Sequence, residues 1–193
     1  MTSSIGVAVI GGGMAGRAHA AGYRMATTLF GTDRPDVRLV AIADTNAAVA
    51  DDTAKRYGYE RAEYDWRAIA DAADVDAVSV VVANHLHREI VEGLIAAGKH
   101  VLCEKPLAGS LADAEAMVAA AERSDRITAV GYTYRRVPAV EQIRRELAAG
   151  TLGELVTSTA ATGATTRSTR RRRSPGATAA GPVPGPWPTS AAT

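Results

Sequence analysis

The sequence predicts an α/β fold, a doubly wound parallel sheet with a disordered tail. Three observations predict it. Short apolar runs rich in β-branched residues alternate with longer stretches of helical periodicity, the pattern of a parallel sheet covered by helices on both faces. A glycine-rich hexapeptide follows the first run immediately. Beyond about Thr159, Ala, Thr, Gly, Ser, Pro and Arg supply nearly every residue.

In chain order, strands are predicted over Ile5–Ile10, Val37–Ala43, Ala77–Ala83, His100–Cys103 and Ile127–Tyr132, with helix-compatible stretches between them. One helix opens near Met14. A second runs from Arg88 to Ala97, with Ile90, Val91, Leu94 and Ile95 on one face and Gly98 placed for a left-handed C-terminal cap. Ser110 and Asp113 make a capping-box-like start for a third, which is expected to bury Leu111, Ala114, Val118 and Ala121. A fourth is expected over Pro138–Ala149, with Pro138 in its first turn, Val140, Ile143 and Leu147 facing inward, and Gly150 after its end. A strand could begin at Leu152–Thr159. The predicted units are therefore residues 1–132, a crossover over 133–158 and a low-complexity tail over 159–193, too poor in large apolar side chains to offset the entropy of ordering.

The 193 residues are 47% hydrophobic and 22% charged, enough for one well-filled core. The net charge of +1 hides an asymmetry: all 21 acidic residues lie at or before Glu154, with 17 of the 22 basic ones, so the body is 17 − 21 = −4 and the tail +5. The tail arginines (Arg167, Arg170, Arg171, Arg172, Arg173) lack interleaved aromatics, which argues against a nucleic-acid-binding arm. A lone cysteine, Cys103, excludes an internal disulfide or CxxC site and fits the cytoplasm; it reads as a buried small hydrophobe. No apolar run is long enough to cross a bilayer, and no histidines pair at metal-ligand spacing.

Gly11-Gly12-Gly13-Met14-Ala15-Gly16 matches G-x-G-x-x-G between a strand and a helix. Gly11 permits the tight turn, Gly13 lets the backbone approach a pyrophosphate, and Gly16 permits close helix–strand packing. The pyrophosphate would sit on the helix N-terminus at Met14 and Ala15, where free N–H groups favour negative charge. Asp44, ending the second strand, would accept hydrogen bonds from the adenosine ribose, favouring NAD over NADP. Its distance from Gly16 exceeds the usual ~20 residues, and a loop insertion at Gly31–Pro35 accounts for the excess.

With this loop, Asn84-His85-Leu86-His87, Cys103-Glu104-Lys105-Pro106-Leu107 and Gly131-Tyr132-Thr133-Tyr134-Arg135 follow in the order and spacing of a known family. The chain resembles the N-terminal Rossmann domain of the Gfo/Idh/MocA oxidoreductases over roughly residues 5 to 157. The resemblance implies hydride transfer between NAD(P) and a sugar, inositol or related polyol. It implies that Lys105 lies beside the nicotinamide and substrate, where its cation steadies the reacting oxygen. It places Asn84, His87, Glu104 and Arg135 on the cofactor side, with His19 equally suited to helix packing. His85, His100, Arg136, Arg144 and Arg145 carry no such assignment.

Family members are homo-oligomers whose second domain supplies most of the substrate pocket and the dimer contacts. Here Gly153-Glu154-Leu155-Val156 looks like the first strand of that domain, and the pattern then dissolves, as a truncation or reading-frame shift would produce. Two expectations follow: an NAD-dependent dehydrogenase acting on CH–OH groups, or a nucleotide-binding fragment without catalysis.

Overall fold

The computed structural model describes residues 4–29, 35–151 and 153–154. The insertion expected at Gly31–Pro35, apart from Pro35, and the strand expected over Leu152–Thr159, apart from Gly153 and Glu154, lie outside these residues, as does the tail.

The strands are β1 (Ser4–Ile10), β2 (Asp36–Ala43), β3 (Arg61–Glu63), β4 (Ala77–Val80), β5 (His100–Cys103) and β6 (Thr128–Val130). All pair in parallel, in the order β3-β2-β1-β4-β5-β6. That is the doubly wound order whose reversal between β1 and β4 opens a crevice at the carboxyl edge. The connecting helices are α1 (Met14–Leu29), α2 (Ala47–Tyr57), α3 (Trp66–Asp71), α4 (His87–Ala96), α5 (Leu111–Glu122) and α6 (Pro138–Ala148).

Alternation along the strands fills two cores. Ala8, Ile10 and Val78 join Ile69, Leu94 and Met117 from α3, α4 and α5 on one face. On the other, Val7, Val9 and Ile42 meet Ala20 of α1 and Ala54 of α2. Buried Lys99 donates its ammonium to the carbonyls of Ala72 and Val75, holding the loop between α3 and β4.

Local chemistry sets the helix ends. Asn46 caps α2 by accepting from the Val49 amide, and Gly58 ends it at φ 75°. Gly98 takes the expected left-handed conformation after α4, at φ 78°, and Gly150, placed as expected after α6, is left-handed too, at φ 72°. Ser110 caps α5 by accepting from the Asp113 amide at 3.1 Å. The box does not close on the backbone: Asp113 accepts from the Ser110 hydroxyl at 2.7 Å instead and pairs with Arg88 of α4 at 3.0 Å.

The structure corrects several expectations. The strand expected over Ala77–Ala83, β4, ends at Val80, three residues early, as the chain turns toward a 3-10 segment at Asn84–Leu86. The last strand is trimmed to Thr128–Val130 because its partner among the described residues, β5, ends at Cys103. Met117 is the buried residue of α5, while Leu111 and Val118 are 75% and 46% exposed. Most of that helix is alanine or apolar, so its sequence scarcely distinguishes one face from another. Nor do Val140 and Ile143 face a core: α6 has no buried residue and packs mainly on the turn Thr133–Arg136. β3 and the helices flanking it were not assigned from sequence; three residues, Arg61–Glu63, are too few for a period to register.

Among the described residues, one buried side-chain polar atom lacks a partner, the Tyr59 hydroxyl. Burial, and secondarily the neighbouring Tyr23, push its pKa above the ordinary tyrosine range. Since an unsatisfied hydroxyl costs its desolvation, Tyr59→Phe is expected to keep stability or raise it by up to ~1 kcal/mol. Urea unfolding midpoints test this, and a clear loss of stability would reveal a partner.

Candidate active site

The chemistry-bearing residues converge on one edge because every strand points the same way. Gly11 follows β1, Asp44 follows β2, Val81–Asn84 follow β4, Glu104 and Lys105 follow β5, and the turn bearing Arg135 follows β6. In a parallel sheet all these positions stand at carboxyl ends.

The glycine turn is built by close approach. Gly11 sits at φ 104° and donates its amide to the Ala43 carbonyl at 2.7 Å, and a Cβ there would stand 2.2 Å from the Val81 carbonyl oxygen. At Gly16 a Cβ would stand 1.7 Å from the Gly11 carbonyl oxygen, so only glycine lets α1 lie this close to β1. Gly13 differs: nothing lies within 4 Å of a Cβ built on it. The protein leaves that space open at the start of α1, where the Met14, Ala15 and Gly16 amides precede the first intrahelical bonds. Met14 itself is 91% exposed.

Asp44 braces the turn. One carboxylate oxygen accepts from the Gly12 amide at 2.8 Å and the other from the Asn46 amide at 2.9 Å. Each oxygen retains a lone pair, enough for a ribose diol. Thr53 donates its buried hydroxyl to the Gly12 carbonyl at 3.3 Å and Arg17 its guanidinium at 3.2 Å, completing the loop. A cleft of about 680 Å³ runs from Gly11, Gly13 and Asp44 past Val82 to Trp66 and Arg67. The Arg67 guanidinium lies 4.7 Å from the Trp66 ring centroid and pairs with Glu89 at 2.7 Å. An open pyrophosphate position, a carboxylate for the ribose and a cleft of this size together fit a dinucleotide. Trp66 and Arg67 are cleft residues that the sequence analysis missed; the available signal was Asp65, a helix-capping residue just before them that accepts from the Arg67 amide.

Lys105 is exposed beyond β5, and the peptide joining it to Pro106 is cis. Its amide donates to Glu104 Oε2 at 3.0 Å. Glu104 Oε1 lies 3.1 Å from His19 Nε2, and His19 Nδ1 lies 3.1 Å from the hydroxyl of buried Ser79, itself 2.8 Å from the Tyr23 hydroxyl. Burial raises the Tyr23 pKa, with the Ser79 bond opposing it. His19 thus reaches the motif that contains Lys105, a link invisible in sequence.

Asn84 is exposed at the carboxyl edge, opening the turn before α4. His87 is turned inward, 1% exposed, with Nε2 and Nδ1 each 3.1 Å from a backbone carbonyl, of Val82 and Leu107 respectively. A neutral ring has one N–H, so it donates to one of these carbonyls and packs against the other, wedged between two edge loops. Arg135 is exposed, in a shallow cleft with Arg136, Glu141, Arg144 and Arg145. Arg144 and Arg145 draw the Glu141 pKa down to about 2.

Cys103 is buried with its Sγ 3.3 Å from His87 Nδ1, an arrangement that resembles a nucleophile with its base. Burial, then the Glu104 charge, push the thiol pKa up to about 12. The thiolate, the reactive form, is thereby suppressed at neutral pH. Labelling of Cys103 by a disulfide reagent is expected to be at least ~100-fold slower in the native chain than in urea. Comparable rates would contradict this burial. Among the described residues, no three His, Cys, Asp or Glu side chains gather as a metal site, and no helix is long and apolar enough to cross a membrane.

Residues 5–132 match the GFO_IDH_MocA family, described as an oxidoreductase family with an NAD-binding Rossmann fold. The chain is 37% identical over 155 residues to levoglucosan dehydrogenase of Pseudarthrobacter phenanthrenivorans, covering 79% of this chain and 39% of that protein. It is 30% identical over 148 residues to myo-inositol 2-dehydrogenase of Thermotoga maritima, covering 77% and 42%. A solved structure of levoglucosan dehydrogenase in complex with NADH superposes with a TM-score of 0.76 at 35% identity, covering 79% of this chain and 41% of that one. The chain thus spans about two fifths of the length of the relatives it matches.

Proposed function

The chain belongs to the GFO_IDH_MocA family and carries its NAD-binding Rossmann domain, and on that premise we propose that it serves hydride transfer between NAD and a CH–OH carbon of a sugar, inositol or related polyol. The observation that carries the proposal is the gathering of the glycine turn, Asp44 and Lys105 at the carboxyl edge of one parallel sheet. The names of the relatives, dehydrogenases of levoglucosan and of myo-inositol, support the substrate class. Residues 1–132 form the cofactor domain in this reading, and 133–158 lead toward the part that selects the substrate.

Gly13 and the first amides of α1 receive the pyrophosphate, with the helix dipole favouring its charge. Asp44 accepts from the ribose diol, and its charge repels a 2′-phosphate, which favours NAD over NADP. Asn84 and Glu104 border the nicotinamide end, and Arg135 guards the crossover. When bound, the nicotinamide supplies the acceptor for the hydride. Lys105 Nζ binds the substrate oxygen: as the neutral amine it accepts the hydroxyl proton in the oxidative direction, and the ammonium so formed steadies the oxygen and returns the proton in the reverse direction.

Calorimetry with NADH and NADPH, followed by turnover on a panel of sugars and inositols, tests the proposal. Asp44→Ala is expected to weaken NADH at least ~10-fold, the loss of a charged hydrogen bond, and to narrow its advantage over NADPH. Failure of the unsubstituted chain to bind either would defeat the proposal. Binding without turnover would leave cofactor capture as the function of this polypeptide.

A further inference from the structure

We propose that His19 is a positioning residue for Lys105, acting through Glu104 to fix the backbone from which the lysine projects. This rests on the reading of Lys105 given above and extends it by tying the loop after β5 to helix α1.

The assignment follows from donors and acceptors. As a carboxylate, Glu104 can only accept, so His19 Nε2 donates to Oε1 at 3.1 Å and the Lys105 amide donates to Oε2 at 3.0 Å. A neutral imidazole donating from Nε2 accepts at Nδ1, so the Ser79 hydroxyl donates to it at 3.1 Å, and the Tyr23 hydroxyl donates to Ser79 at 2.8 Å. A single placement of protons satisfies every member, in one direction from Tyr23 to Glu104. Ser79, at 0% exposure in β4, supplies a rigid origin.

Crowding selects this geometry. A Cβ on Gly131 would stand 2.6 Å from Glu104 Oε1, so the backbone after β6 closes on the carboxylate, and a side chain there would push it aside. Glu104 and His19 side chains are only 14% and 15% exposed, and a carboxylate so enclosed needs donors on both oxygens. Removing the imidazole leaves Oε1 without its donor. The carboxylate then turns toward water, and the Lys105 amide loses its acceptor. His19 also lies on the helix whose first turn receives the pyrophosphate in the proposed function, three residues beyond Gly16. One helix therefore sets both the cofactor position and the lysine position.

Amide hydrogen exchange on the full chain, without cofactor, reads this directly. His19→Leu is expected to speed exchange of the Lys105 amide at least ~10-fold while the Val78 and Val80 amides of β4 keep their rates. His19→Gln, whose side-chain amide keeps a donor and an acceptor, is expected to restore most of the protection. Ser79→Ala, which removes only the hydroxyl orienting the imidazole, is expected to shift Lys105 in the same direction. An unchanged Lys105 amide in Ser79→Ala overturns the proposal even where His19→Leu does not fold. It is equally overturned by acceleration shared with Val78 and Val80, or by a glutamine variant no better than leucine. NADH titration of the unsubstituted chain reads the proposed function separately: its failure would remove the catalytic meaning of Lys105 while leaving the exchange result legible.

Discussion

Gly13→Val is expected to leave the chain folded and to abolish detectable NADH binding. Gly13 has no positive φ, and a Cβ on it meets nothing within 4 Å, so the protein itself has room for a larger side chain there. The open volume is the approach to the N-terminus of α1, where a pyrophosphate must come within hydrogen-bonding distance of backbone amides. A valine would hold it away from those amides. Losing two hydrogen bonds to a charged group, at ~1.5–3 kcal/mol each, corresponds to at least ~100-fold in affinity. Calorimetric titration with NADH, beside a thermal melt, checks both halves. A variant that melts like the parent and still binds would show that the cofactor does not use this turn.

Gly16→Ala is expected to fail in the opposite way, by losing the fold. Its Cβ would stand 1.7 Å from the Gly11 carbonyl oxygen and 2.9 Å from the Gly11 carbonyl carbon, both backbone atoms that no side-chain rotation can move. Gly11 is itself pinned by its bond to Ala43 and its approach to Val81. Relief requires lifting α1 off β1, which separates Ala20 from Val7 and Val9 in that core. Overpacking in a core commonly costs 1–3 kcal/mol, and backbone overlap of this depth is expected to cost at least ~3 kcal/mol. Urea unfolding, or loss of soluble expression, is the readout. A variant within ~1 kcal/mol of the parent would mean that the helix–strand approach is looser than described. The two substitutions, three residues apart, separate a glycine kept for a ligand from one kept for the fold.

Much of the fold is legible in the sequence. β1, β2 and β5 are runs of β-branched and small apolar residues that read as buried strands, and the turn after β1 announces itself by three glycines in a row. Asp44 was legible from its place after the second strand. What escaped had physical causes. Arg61–Glu63 has no apolar pattern because a three-residue strand draws its stability from pairing with β2. The buried side of α5 was misjudged because half of its residues are alanine, and α6 carries a helical stripe with no core residue under it. His19 and Glu104 are 85 residues apart, and no local pattern marks their bond. His87 was assigned to the cofactor side by its motif, yet the ring is occupied by Val82 and Leu107. A motif carries the position of a residue, not the direction in which its side chain turns.

The inward ring of His87 has a consequence for anyone redesigning this scaffold. It lies between the segment after β4, which borders the cleft past Gly11 and Asp44, and the segment after β5, which carries Lys105. These two loops are thus one mechanical part with a shared rivet. Grafting either loop alone from a relative would change one wall of the slot that holds this buried ring, so a transplant intended to alter specificity must carry Val82 to Leu107 as a single cassette.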